Sequence, residues 1–167
     1  LGFVNMPAVA NMPAEQYAYQ RDATNLAKNL LAEPTSILGG VVRDGFGRVT
    51  QYVLQALDVG TYVTSTYETG TGRLASQRVD RDNIATADVN ATLGYDDSGR
   101  VTSIADVPNP ADPSRTDRQC FQYSWAGELT EAWSNGDSTC STSPSLSTTG
   151  ASPYWTSWGY DTAHRSE

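Results

Sequence analysis

The sequence predicts an all-β protein built from successive antiparallel β-hairpins. Three observations lead to this prediction: short segments rich in β-branched and aromatic residues, turn-forming residues between them, and the return of one turn pattern at regular spacing. A two-strand unit with its connections takes about 20–28 residues, which is the spacing of the pattern. Because a lone hairpin is marginal in water, successive hairpins must pair side by side, and we expect one long antiparallel sheet.

The clearest copy of the pattern is the stretch GYDDSGRVT at residues 94–102. Tyr95 places a large aromatic side chain on a strand, where it packs well against cross-strand neighbours. The carboxylate of Asp96 can accept hydrogen bonds from the backbone amides just ahead and so nucleate a turn. Gly99 supplies the positive φ that the return of a short hairpin demands. The stretch therefore predicts a hairpin that turns at residues 95–99.

The same pattern recurs along the chain with small changes. One copy has Arg43 in place of tyrosine, another near residues 22–25 lacks the glycine, and the last has His164 where glycine is expected. The second positions of the copies step by 22, 24, 28, 28 and 37 residues. We predict turns near residues 22–25, 43–47, 67–72, 95–99, 123–127 and 160–164. The residues expected to form these turns are Asp44, Gly47, Glu68, Gly72, Asp96, Gly99, Gly127 and Asp161.

This pattern resembles the YD repeats of the Rhs family, which also occur in teneurins and in the C components of insecticidal toxin complexes. The resemblance is sharpest at residues 94–101 and 158–161 and covers most of the chain from about residue 19. Residues 116–121 and 153–158 are most similar to secreted Rhs proteins of actinobacteria. The resemblance implies a long curved sheet that is part of a spiral shell, which encloses a toxic C-terminal domain.

The domain organisation follows from the distribution of the repeats. Residues 1–16 carry two prolines and no lasting periodicity, so we expect an irregular lead-in before a hairpin array at residues 17–167. Residues 17–33 leave two alternatives open, a helix ended by Pro34 or a worn hairpin, and the repeat context favours the hairpin. A Ser/Thr-rich loop is expected at residues 134–152, which lengthens the last step of the repeat.

Composition and charge exclude several classes of function. The chain has 167 residues, a net charge of −8 and a single lysine, so a nucleic-acid backbone would be repelled and no nucleic-acid partner is expected. No apolar run approaches 18 residues, so no membrane span is expected. The first residues lack the basic region of a signal peptide, and we expect a mature form or a piece of a longer chain.

The two cysteines bear on the compartment. In a reducing compartment Cys120 and Cys140 would be free core residues, whereas in a secreted chain an even count suggests a disulfide. Cys140 lies in a Ser/Thr-rich stretch that a covalent bond would hold in place, and a loop of this size contributes about 3 kcal/mol in the chain-entropy model. We therefore expect a Cys120–Cys140 disulfide in a secreted or cell-surface protein.

No residue pattern predicts catalysis, a cofactor or a metal site. The only histidine, His164, occupies a turn position, and no free thiol outside the expected disulfide completes a catalytic triad. The repeated carboxylates at Asp22, Asp44, Asp96 and Asp161 have a simpler explanation in turn formation, although a glycosidase-like pair is an alternative. We expect a protein that is not an enzyme.

The resemblance therefore implies a structural role as a segment of a secreted toxin's encapsulating shell. Its expected partners are neighbouring YD repeats of the same or another chain and the enclosed toxin domain. A cell-surface adhesion or glycan-binding module is the first alternative, and an exposed row of tyrosines and tryptophans would favour it. An unrecognised carboxylate-dependent, glycan-active enzyme is the second, and it would need a polar pocket with convergent carboxylates.

Overall fold

The structure, a computed structural model, describes residues 2–8, 14–32, 35–56, 59–135, 139–140 and 153–161. These residues form one sheet in which the strands lie in chain order and pair antiparallel, with one short 3₁₀ helix at Pro113–Arg115. The all-β hairpin fold predicted from the sequence is confirmed. The strands are β1 (Gly2–Met6), β2 (Glu15–Arg21), β3 (Ala27–Ala32), β4 (Thr35–Arg43), β5 (Val49–Ala56), β6 (Val59–Tyr67), β7 (Leu74–Arg81), β8 (Val89–Tyr95), β9 (Val101–Asp106), β10 (Asp117–Tyr123), β11 (Leu129–Ser134) and β12 (Trp155–Ser157).

Two compact units divide the chain, and the first consists of Leu1–Thr66 with Gln77–Asp88. Its β4 and β5 pair in a register that sets Val41 opposite Tyr52, as expected for segments rich in β-branched and aromatic residues. Val63 and Ala87 are its buried apolar side chains within the described residues. Asp82 ties the end of β7 to β6, because its Oδ2 accepts a hydrogen bond from the Gly60 amide at 2.8 Å.

The second unit consists of Tyr67–Ser76 with Val89–Glu167. Strands β10 and β11 set Cys120 directly opposite Trp133, and β12 sets Trp155 beside Trp133 on its other side. Side chains of cross-strand partners lie on the same face of a sheet, so these three residues form one cluster. The buried apolar side chains of this unit, within the described residues, are Ala105, Cys120, Ala132 and Trp133.

The first residues differ from the irregular lead-in expected for residues 1–16. Strand β1 pairs with β2 from Gly2 opposite Tyr19 to Met6 opposite Glu15. Its sequence GFVNM contains strand-favouring residues but no turn of its own, and the pairing with β2 satisfies its backbone groups. A search for repeated turns does not detect a strand of this kind.

Of the residues 17–33, those that the structure describes, 17–32, adopt the hairpin and not the helix. Strands β2 and β3 pair antiparallel around a turn at residues 22–26, and β3 also pairs with β4. A strand with neighbours on both sides has its backbone hydrogen bonds satisfied without a helix. Helical spacing of a few apolar residues is a weaker constraint than this pairing.

The Ser/Thr-rich loop predicted at residues 134–152 is described only in part. Ser134 belongs to β11 and is fully buried, and Asn135 is 7% exposed. The Asn135 side-chain amide donates a hydrogen bond to the Thr139 carbonyl at 2.9 Å, next to Cys140. Residues 136–138 and 141–152 lie outside the described residues.

Candidate functional site: the ladder of repeat turns

Five hairpin turns within the described residues share one backbone arrangement. We number them turn 1 (residues 22–26), turn 2 (44–48), turn 3 (68–73), turn 4 (96–100) and turn 5 (124–128). In turn 4 the Asp96 amide donates to the Arg100 carbonyl at 3.0 Å, and the Gly99 amide donates to the Asp96 carbonyl at 2.9 Å. The same two bonds close the other four turns at 2.8–3.0 Å.

A left-handed residue stands at the same place in each turn. Gly47, Gly72, Gly99 and Gly127 have φ between 73° and 88°, a region that favours glycine because it has no Cβ. In turn 1 the place is taken by Asn25 with φ 64°, and asparagine is among the residues that tolerate this conformation. The copy that lacks the glycine in sequence therefore makes the same turn.

Carboxylates hold turns 2 and 4 from within. The Asp96 Oδ1 accepts from the Arg100 amide at 2.9 Å, and its Oδ2 accepts from Arg100 Nε at 2.6 Å. Asp44 makes the corresponding bonds to Arg48 at 3.0 and 2.7 Å. The Arg100 amide chiefly, and then its guanidinium, hold the pKa of Asp96 below its usual value despite partial desolvation. At Asp44 desolvation would raise the pKa, but the bonds from Arg48 and from the Phe46 amide outweigh it and lower the pKa.

Turns 3 and 5 reach the same form with other residues. Turn 3 is one residue longer, and Glu68 with its longer side chain accepts from Thr71 Oγ1 and from Arg73 Nε, the latter at 2.8 Å. Both hydrogen bonds lower the pKa of Glu68, with Thr71 first. Turn 5 exchanges the partners, since the Ser124 hydroxyl donates to the Glu128 carboxylate at 2.8 Å.

Tyrosines join each of several hairpins to the one before it. The Tyr95 hydroxyl donates to the Leu74 carbonyl at 2.7 Å, and Tyr123 donates to the Val101 carbonyl at 2.8 Å. Tyr160 donates to the Leu129 carbonyl at 2.8 Å. Leu74, Val101 and Leu129 are the first residues of β7, β9 and β11, the return strands of the preceding hairpins. We call this series of hydroxyl–carbonyl bonds the tyrosine ladder.

Two arginines of the second unit contact the hairpin that follows them in sequence, whereas the tyrosines contact the hairpin before. The Arg73 guanidinium lies 4.4 Å from the centre of the Tyr95 ring, and its Nη1 donates to the Asp96 carbonyl at 3.3 Å. Arg100 repeats this with Tyr123 at 5.0 Å and with the Ser124 carbonyl at 3.1 Å. Cation–π contacts of this kind contribute about 0.5–1 kcal/mol at exposed sites.

Arg43 takes the place of tyrosine in the first unit. Its Nη2 donates to the carbonyl of Ala27 at 3.2 Å, and Ala27 is the first residue of return strand β3. A guanidinium therefore makes the bond that a tyrosine hydroxyl makes elsewhere. The sequence marked Arg43 only as a departure from the pattern, and the ladder bond it keeps was not foreseen.

The cysteines lie at the opposite end of a hairpin from its turn. Cys120 and Cys140 form a disulfide, with Cα atoms 5.8 Å apart and 20 residues between them in sequence. The structure thus contains the disulfide expected from the sequence. Cys120 is fully buried in β10, and its cross-strand neighbour Trp133 is 4% exposed.

The predicted turn at residues 160–164 is described only at its start. Tyr160 joins the tyrosine ladder, and Asp161 is half-buried. The remaining residues, including His164, lie outside the described part of the chain.

The described residues show neither a metal-ligand cluster nor a membrane-spanning helix. No three His, Cys, Asp or Glu side chains in this part of the chain gather within reach of one ion. No helix there is long and apolar enough to cross a bilayer. The turn carboxylates Asp44, Glu68 and Asp96 each bond to an arginine of their own turn.

Comparison with known proteins shows similarity at the level of fold. No protein-family model and no curated protein sequence matches the chain. The solved structure of the Photorhabdus luminescens Tc holotoxin pore aligns with 91% of this chain at 16% identity, with a TM-score of 0.67. The crystal structure of TcdB2-TccC3-TEV aligns with 89% of it at 16% identity, with a TM-score of 0.48.

The chain spans 8% of the Tc holotoxin chain and 9% of the TcdB2-TccC3-TEV chain. The likeness to the holotoxin structure covers almost all of this chain, so the hairpin sheet has the same fold as a part of a toxin-complex chain. The ladder of repeat turns and this likeness lead to one statement of fold: a repeat sheet of the kind present in a Tc toxin complex.

Proposed function

We propose that this chain is a structural YD-repeat segment of a secreted Rhs-type toxin and builds part of a β-shell around a toxic cargo domain. The observation that carries the proposal is the ladder, in which the arginines of turns 3 and 4 bond within their own turn and also to the next hairpin, while tyrosines bond back to the preceding hairpin. A protein made of such joints can extend into a continuous wall without a separate core for each hairpin. Its partners are neighbouring YD repeats, of the same or another chain, and the enclosed cargo.

The disulfide supports a secreted or cell-surface location. Disulfides persist in oxidising compartments and are rare in the cytosol of most organisms. The bond joins Cys120 in a strand to Cys140, and the described residues contain no free cysteine. A chain that leaves the cell can keep this bond.

The arrangement of the carboxylates supports a structural role and not a catalytic one. A general acid or base needs a carboxyl group whose pKa lies near the working pH. Hydrogen bonds and arginine partners instead lower the pKa values of Asp44, Glu68 and Asp96, so these groups remain ionised and engaged within their turns. We therefore propose that the repeated carboxylates serve folding.

A contact surface for adhesion or glycans is a second candidate, favoured by two aromatic side chains. Trp125 is 97% exposed and Phe46 is 88% exposed, and both lie at the tips of turns. The repeat tyrosines give less support to this candidate, because Tyr95 and Tyr123 are half-buried, hydrogen-bonded and covered by arginines. These two residues therefore do not form the row of coplanar, exposed tyrosines that glycan binding requires.

Protease protection tests the shell. In the secreted protein that carries this chain, the fragments that survive limited thermolysin digestion are identified by mass spectrometry for the wild type, Gly99→Val and the control Gly45→Ala. We expect a cargo region that survives in the wild type and the control and is digested in Gly99→Val, because valine strains the left-handed turn position. If no region outside the repeats becomes more sensitive to thermolysin in Gly99→Val than in the wild type, the result contradicts the shell.

A glycan-binding screen of the wild type and of Trp125→Ala, both also digested with thermolysin, tests the second candidate. Binding that is lost in Trp125→Ala while protease protection stays unchanged favours the contact surface. No binding by either protein removes this candidate.

A further inference from the structure

A trough of about 320 Å³ lies on the sheet of the second unit, across β8, β9 and β10. The register sets Gly94 opposite Ser103. It also sets Thr92 opposite Ala105, and Ala105 opposite Arg118 on its other side. Because cross-strand partners project from the same face, these side chains share one surface. The lining residues that decide the chemistry of the trough are Asn90, Thr92, Gly94, Ser103, Ala105 and Arg118.

Small side chains leave the space in the middle of the trough. A Cβ added at Gly94 would lie 2.5 Å from Ser103 Oγ, so the serine hydroxyl occupies the room above the glycine. Ala105 stands between Thr92 and Arg118 and projects only a methyl group. Since neighbouring strands are about 4.8 Å apart, the backbones of Thr92 and Arg118 are separated by roughly 10 Å. This gap accommodates a small planar group that is hydrogen-bonded at both ends.

Three donor side chains line the trough. The Thr92 and Ser103 hydroxyls have no hydrogen-bond partner within the described residues, so both can donate to a ligand. Arg118 is half-buried and adds a positive charge. It also makes a contact within the chain, which it can keep when a ligand binds, because a guanidinium carries five N–H donors.

Strand alternation keeps negative charge away from the trough. Asp106 and Asp117 are opposite each other in β9 and β10, each one residue along from Ala105 and Arg118, so they project from the other face. None of the described residues that line the trough is acidic. Its described lining therefore combines hydroxyl donors with a guanidinium, a combination that suits a carboxylate.

Two hydrogen bonds fix Asn90 at the trough. Its backbone amide donates to Asp106 Oδ1 at 2.7 Å, and its side-chain amide donates to the Val107 carbonyl at 3.1 Å. Both bonds join β8 to β9 next to Thr92. The trough is thus formed without a ligand, which lowers the ordering cost of binding.

We propose that this trough binds a carboxylate above Ala105. One carboxylate oxygen accepts from the Arg118 guanidinium, and the other accepts from the Thr92 and Ser103 hydroxyls. The volume lies at the lower end of the range for ligand pockets, about 300–1,000 Å³, and leaves room for the group that carries the carboxylate. That group is an acidic side chain of a polypeptide or a small organic acid. The site does not depend on the shell function, because it follows from three strands alone.

NMR titration of the isotope-labelled chain tests the site with acetyl-Gly-Glu-Gly-amide, the same peptide with glutamine, and acetate. We expect the glutamate peptide to shift the β8, β9 and β10 amides around the trough and to saturate. The glutamine peptide should bind at least about 10-fold more weakly, because it lacks the charge-assisted hydrogen bond. Equal binding of the two peptides, or shifts confined to other strands, overturns the proposal.

The acetate arm distinguishes the two sources of the carboxylate. Tighter binding of the glutamate peptide than of acetate supports the site with a polypeptide ligand. Equal binding of the two supports it with a small organic acid. Saturable shifts around the trough with neither probe contradict a carboxylate site.

A matched pair of arginine variants separates the site from the general charge of the chain. Arg118→Gln should weaken binding of the glutamate peptide by about 10–100-fold, as expected for lost hydrogen bonds to a charged group. Arg115→Gln is the control, because Arg115 is exposed in the 3₁₀ helix and does not line the trough. It should change the affinity less than about twofold, since salt screens exposed charges. Equal weakening by both variants overturns the site.

Ser103→Ala keeps the test decisive if Arg118→Gln does not fold. The substitution removes a hydroxyl that has no partner within the described residues, so circular dichroism should show an unchanged fold. Binding of the glutamate peptide should weaken by about 2–10-fold, the effect of one hydrogen bond. An unchanged affinity contradicts the assigned contact.

Discussion

Substitution of Gly99 by alanine measures the free-energy cost of a left-handed backbone conformation in a repeat turn. The φ of Gly99 is +86°, and a Cβ added there would lie 3.5 Å from Arg73 Nη1, which is an ordinary van der Waals contact. The cost of Gly99→Ala therefore comes from the backbone and not from a clash. An L-residue in the left-handed region costs roughly 1–2 kcal/mol, and this is the expected loss in the free energy of unfolding.

Gly45 provides a matched control in turn 2. It lacks a positive φ, and no atom lies within 4 Å of an added Cβ. Gly45→Ala should leave the fold intact and stabilise it by about 0.4–1 kcal/mol, because alanine restricts the unfolded chain. Glycine-to-alanine substitution is therefore expected to change the free energy of unfolding in opposite directions at two glycines that both lie in repeat turns.

A third variant separates left-handed strain from a general intolerance of side chains. Turn 1 carries Asn25 at the corresponding position with φ 64°. Since asparagine tolerates this conformation, Gly99→Asn should cost less than Gly99→Ala although its side chain is larger.

Thermal melts by circular dichroism measure all three variants. For a chain of this size, 1 kcal/mol corresponds to a shift of about 2–4 °C in Tm. We expect Tm to fall by roughly 2–8 °C in Gly99→Ala, to fall less in Gly99→Asn and to stay level or rise in Gly45→Ala. Equal shifts for the two alanine variants, or a larger loss with asparagine than with alanine, would refute the reasoning.

Three other predictions follow from the ladder. Tyr123→Phe removes the 2.8 Å bond to the Val101 carbonyl and should cost about 1 kcal/mol in urea unfolding. Tyr62→Phe is its control, because the Tyr62 hydroxyl has no hydrogen bond within the described residues, and equal losses would contradict the ladder bond. Asp96→Asn keeps an acceptor for the Arg100 amide but loses the ion pair, so its Tm should fall less than that of Asp96→Ala, and the reverse order would exclude turn capping as the role of Asp96. The carboxyl pKa values of turns 2, 3 and 4 are lowered on folding, so their contribution is complete above the unfolded values of about 4 and is lost as pH falls through the folded values. Melts between pH 7 and pH 2 should show stability that declines only below about pH 4, and stability that increases on acidification contradicts this linkage.

The sequence alone allowed the hairpin fold to be predicted because each turn is encoded locally. Asp96, Gly99 and Arg100 interact within five residues, so their pattern is visible without knowledge of the sheet. The disulfide was also predictable, because two cysteines have only one possible pairing within the chain.

Other features depend on contacts that local pattern does not contain. Arg43 and Asn25 break the pattern in sequence, yet each performs the missing residue's task, because a guanidinium can replace a hydroxyl donor and asparagine can replace glycine. Strand β1 has no turn signal, and its pairing with β2 depends on the neighbouring hairpin. The burial of Trp133 likewise depends on how β10, β11 and β12 come together.

The arginines explain how a local pattern specifies a sheet order. Arg100 bonds to Asp96 in its own turn through Nε, and the same guanidinium covers the Tyr123 ring and donates to the Ser124 carbonyl through Nη1. The turn carboxylate therefore fixes the orientation of the group that holds the next hairpin. Arg73 repeats this arrangement one hairpin earlier, with Glu68 on one side and Tyr95 on the other. Since turns 3 and 4 each position the joint to the following hairpin, a change at Glu68 or Asp96 weakens both its own hairpin and the attachment of the next, so at these two turns the hairpin that follows in sequence is held as the neighbour in the sheet.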